Sequence, residues 1–167
     1  LDESGIPNNA HDRVEIAKKI IARAADYGIA SKDIIVDCLA MTVSSDSSSA
    51  LVTLECLCEL TKLGIKTSLG VSNVSFGLPA RSIINSTFFA MALTSGLSAA
   101  IMNPHSKEMM SVYYSFCALT DKDPQCGEYI AYASADTEAK STKTTDKTEF
   151  APDEALRRAI LKGLKDD

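Results

Sequence analysis

TSLGVSNVSFGLPARSIINSTFFAMALTSGLSAAIMNP, residues 67–104, decides how this chain folds. Residues 67–71 read as a short buried strand that runs into Ser72 and Asn73. A polar loop follows, with Ser75, Gly77, Pro79 and Arg81. Residues 82–95 carry a helical pattern that stops at Gly96, and residues 99–102 form a second short strand ending in Asn103-Pro104. Polar groups placed just past the carboxyl ends of strands are where α/β folds carry their chemistry.

Upstream, residues 9–27 predict an amphipathic helix, with Val14, Ala17, Ile20, Ile21 and Ala24 at helical spacing and charges between them. Asn8 or Asn9 is its N-cap and Gly28 its C′ residue. Residues 33–36, DIIV, are a short run rich in β-branched residues, continuous rather than alternating, that ends in Asp37, as expected of a strand covered on both faces. A Ser-rich loop at 42–49 reads as flexible, and a helix over 50–63 closes at Gly64. Tyr27-Gly28-Ile29, Leu63-Gly64-Ile65 and Ser95-Gly96-Leu97 each end a helix and lead to a strand, and the strands end in Asp37, Asn73 and Asn103. A helix–Gly–strand–polar unit that recurs in this way is the mark of consecutive βα units, whose right-handed crossovers put the polar ends on one rim. The spacing fits a TIM barrel better than a doubly wound sheet, but only slightly.

Downstream, residues 107–119 predict a helix and CGEYIAYA a short helical tail. Residues 134–150 are rich in Ser, Thr, Lys, Asp and Glu and read as a flexible linker. Pro152 then opens a terminal helix whose apolar stripe finds no partner in this chain. The first residues read as a loop and the last stop inside a helical pattern, so both ends are expected to be cuts through a larger protein.

The chain has 167 residues and a net charge of −5, with no cluster of Lys and Arg. Nucleic acid is therefore not the expected partner. No apolar run is long enough to span a membrane and no signal-peptide pattern is present, so a cytoplasmic location is expected. The five cysteines are expected to be reduced thiols, mostly buried, and Cys56-x-Cys58 lacks zinc-knuckle spacing. His11 and His105 form no metal site with nearby carboxylates, and no Ser-His-Asp, Walker or GxGxxG arrangement occurs.

GVSNVSFGLPAR followed by IINSTFFAMALTSGLSAAIMNP resembles the pterin-binding domain of cobalamin-dependent methionine synthase and of the related methyltetrahydrofolate:corrinoid methyltransferases. The likeness runs from Leu1 to about Tyr132. It implies a (β/α)8 barrel, of which residues 1–133 would be the carboxyl-terminal part, holding the last three strands. It implies that residues 151–167 begin the helical cap of a corrinoid-binding module. It also implies a function: methyl transfer from 5-methyltetrahydrofolate to cob(I)alamin carried on another domain or subunit. No corrinoid-binding DxHxxG motif and no cysteine set for zinc-activated homocysteine is found here.

Two readings attach to each candidate site residue. Asn73 either shapes the strand end or, as the resemblance implies, lies near N5 of the folate, where an amide can donate and accept hydrogen bonds as the ring nitrogen changes protonation. Asp37 either caps a neighbouring helix or pairs with Arg81, or its carboxylate takes the amino-pyrimidine edge of the pterin. The family usually has Pro after this aspartate, and Cys38 stands there instead. Arg81 either starts a helix at the surface or reaches the pterin or its glutamyl tail. Ser75 shapes the loop or assists in binding. Phe76 covers a flat ring or belongs to the core, and Asn103-Pro104 makes a turn. A dihydropteroate synthase-like enzyme is the nearest alternative on this fold, although a basic diphosphate-binding rim is not seen. A non-catalytic fragment that associates through exposed strand edges, as a homo-oligomer, is the alternative of another class.

Overall fold

A computed structural model of the protein describes residues 1, 3 and 5–141. The chain divides into two compact units, Leu1–Tyr129 and Ile130–Asp167.

The first unit begins with helix α1 (Ala10–Asp26). Asn9 caps it reciprocally: its Oδ1 accepts from the Asp12 N–H at 2.9 Å and its Nδ2 donates to the Asp12 carboxylate at 2.7 Å. Gly28, at φ +79°, lets the chain reverse after the last turn. Strand β1 (Ile35–Asp37) starts later than the sequence suggests, because residues 31–33 close a 3₁₀ turn. The strand thereby includes Asp37 as its last residue. Helix α2 (Ser49–Lys62), strand β2 (Lys66–Gly70), helix α3 (Arg81–Thr94), strand β3 (Ala99–Ile101) and helix α4 (Lys107–Leu119) follow in the expected order. Helix α5 (Gly127–Ser141) begins where the buried Asp123 carboxylate accepts from the Glu128 and Tyr129 N–H groups at 3.0 and 2.9 Å.

The strands form one sheet in the order β1-β2-β3, all parallel, with Asp37 opposite Ser68 and Gly70 opposite Ile101. Side chains alternate between the two faces. One face carries Val36, Thr67, Leu69 and Ala100, and it packs into a core with Val14 and Ala17 of α1, Leu54, Leu57 and Leu60 of α2, Phe88, Phe89 and Ala92 of α3, and Met109 of α4. The other face carries Ile35, Asp37, Ser68 and Ile101, and its two isoleucines are 58% and 66% exposed. Neighbouring strands in chain order, joined by helices that share one core, are what consecutive βα units produce. The expectation that β1 is covered on both faces is therefore corrected within this chain: Val36 is half-buried, while Ile35 stands in the open.

The expected linker over 134–150 also changes at its start. Residues 134–141 are helical, the continuation of α5, because Ala133, Ala135, Glu138, Ala139 and Lys140 are strong helix formers. Residues 142–150 and the terminal helix expected over 151–167 lie outside the described residues. Among the described residues no helix is long and apolar enough to cross a membrane.

Candidate functional site

Parallel pairing puts the carboxyl ends of β1 and β2 on the same side of the sheet. Asp37 is exposed on the open face, and its Oδ1 accepts from the Leu39 N–H at 2.9 Å. Leu39 itself has φ +61°, in the left-handed region. The anticipated alternative, a pair with Arg81, does not form: Arg81 is engaged in the next loop. The second carboxylate oxygen has no partner among the described residues.

Asn73 lies in the 3₁₀ turn Val71–Ser75 that follows β2. The buried side chains of Val71 and Val74 root this turn in the core and leave Asn73 exposed between them. Its amide folds back over the end of β2: a Cβ on Gly70 would stand 3.1 Å from Asn73 Nδ2. Gly70 has φ −77°, so it is the space above it, not its own backbone, that favours glycine here. No described residue is hydrogen-bonded to the Asn73 amide. Strand spacing and rise place the Asp37 and Gly70 Cα atoms about 8 Å apart, since Gly70 lies two residues beyond the register partner of Asp37.

The rest of the loop is held by Arg81. Its Nε donates to Ser75 Oγ at 2.9 Å, and one Nη donates to the Ser72 carbonyl at 2.7 Å. Ser75 is fully buried and donates in turn to the Ser72 carbonyl at 3.3 Å. Of the two readings for Ser75, loop shaping is therefore what these bonds display: the hydroxyl is under the rim and not on it. Phe76 is not a core residue. It is 68% exposed, with the Arg81 guanidinium 5.9 Å from its ring centre. Asn103 builds a turn, accepting from the His105 N–H at 3.0 Å through its side chain.

The Ser-rich loop expected to be flexible is tied to this one. Thr42 Oγ1 and Ser44 Oγ donate to the Phe76 carbonyl at 2.8 and 2.9 Å, and the Val43 N–H donates to the Val74 carbonyl at 3.0 Å. The loops after β1 and β2 thus form one hydrogen-bonded rim.

One contributor went unrecognised in the sequence. Arg13 of α1 is buried, 9% exposed. Its Nε donates to the Pro7 carbonyl at 3.0 Å, and one Nη donates to the Cys38 and Leu39 carbonyls at 2.9 and 3.0 Å. The available signal was its place in the buried set Ala10, Arg13, Val14, Ala17, which follows the spacing of one helix face. Below the same turn Cys38 and Cys56 are both buried. A hydrogen bond to the Cys56 thiol, together with burial, pushes the Cys38 thiol well above the usual range, so it stays protonated at neutral pH.

The model of the pterin binding enzyme family matches residues 2–103, the part that contains all three strands. A methylcorrinoid:tetrahydrofolate methyltransferase of Eubacterium limosum is 32% identical over 131 residues, which is 77% of this chain and 48% of that protein. The methionine synthases of Mycobacterium leprae and Mycobacterium tuberculosis are 30% and 33% identical over 67% and 62% of this chain, corresponding to 10% and 9% of their own lengths. The chain thus spans about half the length of the first of these relatives and a much smaller part of the other two. With the match extending over well more than half of its residues, the chain belongs to the family of pterin-binding enzymes.

Proposed function

We propose that the rim formed by Asp37 and Asn73 is part of a site for a reduced folate, in a protein that moves a methyl group between N5 of that folate and a corrinoid. The observation that carries this reading is the delivery of a carboxylate and an unengaged amide to one end of two adjacent parallel strands. The carboxylate would accept hydrogen bonds from the amino-pyrimidine edge of the pterin. The amide would lie at N5, donating when the nitrogen is unprotonated and accepting when it carries a proton. A tertiary amine leaves poorly, so holding a proton at N5 in the transition state is the chemical work left to the protein, together with orienting the ring. Arg81, Ser72 and Ser75 would support Asn73 by fixing its turn, and Arg81 would also meet the glutamyl tail.

The corrinoid, cob(I)alamin, would come from another domain or protein and supply a strongly nucleophilic cobalt when bound. In the direction of methionine synthase the folate is 5-methyltetrahydrofolate, the methyl donor. The Eubacterium limosum relative is named for the opposite direction, and it matches the larger share of this chain. By microscopic reversibility the same contacts to N5 serve both directions. We also read the sheet as an arc of a (β/α)8 barrel: sequential parallel strands with an open, partly apolar face fit such an arc, whose remaining strands would cover Ile35 and Ile101. The absence of a long apolar helix among the described residues fits a cytoplasmic setting.

Titration of 5-methyltetrahydrofolate against the wild-type protein, Asn73→Ala and Asp37→Asn tests the site. Weaker binding in both variants is expected, and unchanged binding and methyl transfer in Asn73→Ala removes that residue from the mechanism. The second reading, a non-catalytic piece, is favoured by one feature: β1 and β3 each have an unpaired edge in this sheet. It predicts self-association, which a sharp monomer peak on gel filtration contradicts.

A further inference from the structure

We propose that Arg13 is a positioning residue for Asp37: its buried guanidinium fixes the turn after β1 and thereby sets where the Asp37 carboxylate points. The effect on a ligand rests on the folate reading above; the coupling of Arg13 to Asp37 does not.

A guanidinium is costly to bury unless its donors are satisfied, and an apolar side chain would be cheaper at a core position beside Val14 and Ala17. No carboxylate pairs with Arg13 among the described residues, so an ion pair does not account for it. Its strong bonds all go to backbone carbonyls, at Pro7, Cys38 and Leu39. Two of those carbonyls belong to the residues immediately after Asp37. The fully buried Thr53 Oγ1 lies within hydrogen-bond reach of both the Leu39 and the Ser49 carbonyls, at 3.1 and 3.0 Å.

The three residues form one chain of constraints. The Cys38 N–H continues the sheet ladder to the Ser68 carbonyl at 3.3 Å. Both following carbonyls are turned inward to Arg13. Leu39 is thereby kept at φ +61°, a region that a leucine leaves unless held. The Cys38 carbonyl and the Leu39 N–H belong to one planar peptide group and point in opposite directions, so holding that carbonyl inward aims the N–H at Asp37 Oδ1, 2.9 Å away. Releasing the Cys38 carbonyl lets that peptide plane rotate, swings the Leu39 N–H away, and frees the carboxylate to rotate. Arg81 acts in a parallel way on the loop after β2, through the Ser72 carbonyl and Ser75. Each rim loop therefore has its own arginine, and only that of α1 is buried.

Amide hydrogen exchange on the full chain tests this without a ligand. Arg13→Lys, which keeps the charge but not the fork of donors, should speed exchange at Leu39 by about tenfold, the worth of one net hydrogen bond. Phe89 in the core of α3 should be unaffected. Asp37→Ala should do the same, and the double variant should exchange no faster than Asp37→Ala alone, since both act on one contact. Unchanged exchange at Leu39, or additive effects, overturns the proposal. Equal acceleration at Leu39 and Phe89 also overturns it, because Arg13 would then merely stabilise the fold. A second arm titrates 5-methyltetrahydrofolate: Arg13→Lys should weaken binding about as much as Asp37→Ala, with no further loss in the double variant, and additive losses again refute the coupling. A wild-type chain that binds no folate refutes the folate reading, while the exchange arm still decides the role of Arg13.

Discussion

Gly70→Ala is the most selective way to disturb Asn73. The new methyl would lie 3.1 Å from Asn73 Nδ2 and 3.8 Å from its Cγ, so the amide must retreat by about 0.3 Å to reach ordinary contact. The backbone accepts alanine, with φ −77° and ψ 83°, close to an inverse γ-turn. Stability should therefore change by less than about 1 kcal/mol. Restricting the unfolded chain adds about 0.4–1 kcal/mol, and an off-rotamer Asn73 costs about 0.5–1.5 kcal/mol. Tm should stay within about 5 °C of wild type. Binding should respond more. Spoiling one neutral hydrogen bond costs about 0.5–1.5 kcal/mol, which is roughly a two- to tenfold loss of affinity. Isothermal titration with 5-methyltetrahydrofolate, beside a thermal melt, measures both. Asn73→Ala should lose at least as much, and the double variant should lose no more than Asn73→Ala, because the methyl then has nothing to displace. Wild-type affinity in Gly70→Ala, or additive losses in the double variant, would show that the Asn73 amide is not where the ligand binds.

Gly96→Ala should destabilise by about 3–5 kcal/mol, because φ is +96° and the new Cβ would sit 2.6 and 2.8 Å from Cγ2 and Cβ of Thr61. Gly28→Ala, with φ +79° but open space around it, should cost only about 1–2 kcal/mol, and urea unfolding of the two variants separates clash from backbone strain. Thiol titration of the native protein should modify Cys58, Cys117 and Cys126 well before Cys38 and Cys56, which are buried; early loss of Cys38 contradicts the packing described. Glu15, Asp46 and Glu108 have lowered pKa values, through bonds to Lys18, to Ser48, and to the Glu108 backbone with Ser106, respectively. Their contribution is present above the ordinary carboxylate range and is lost as pH falls through the lowered values, so melts between about pH 6 and pH 3 should show falling stability. Asp46→Asn should flatten part of that fall, and an unaltered pH profile would deny the bonds from Ser48 to the Asp46 carboxylate any energetic role.

Local periodicity and turn chemistry were enough to read the element order from the chain. Apolar spacing marked each helix, and Gly28, Gly64 and Gly96 marked the ends of three of them. Runs such as DIIV and TSLGV located strands to within about two residues, the usual uncertainty of element ends. Asp37 and Asn73 were legible as polar residues at or just past the ends of two strands, but their spacing did not decide between shaping a turn and binding a ligand. What residues do across the fold was not legible. Arg13 went unrecognised because the partners that let it be buried are the Cys38 and Leu39 carbonyls, turned inward by a turn distant in sequence. Ser content suggested a loose loop at 42–49, yet two of its hydroxyl-bearing side chains reach the Phe76 carbonyl more than thirty residues away. An aromatic after a strand suggested core, yet Phe76 is held out at the rim. The sequence by itself determined the elements and the polar strand ends, since these depend on neighbours within a turn or two. The tertiary structure alone decided which polar groups are already paired and which, like the Asn73 amide, stand free of the described residues, because a hydrogen-bond partner is chosen by proximity in space.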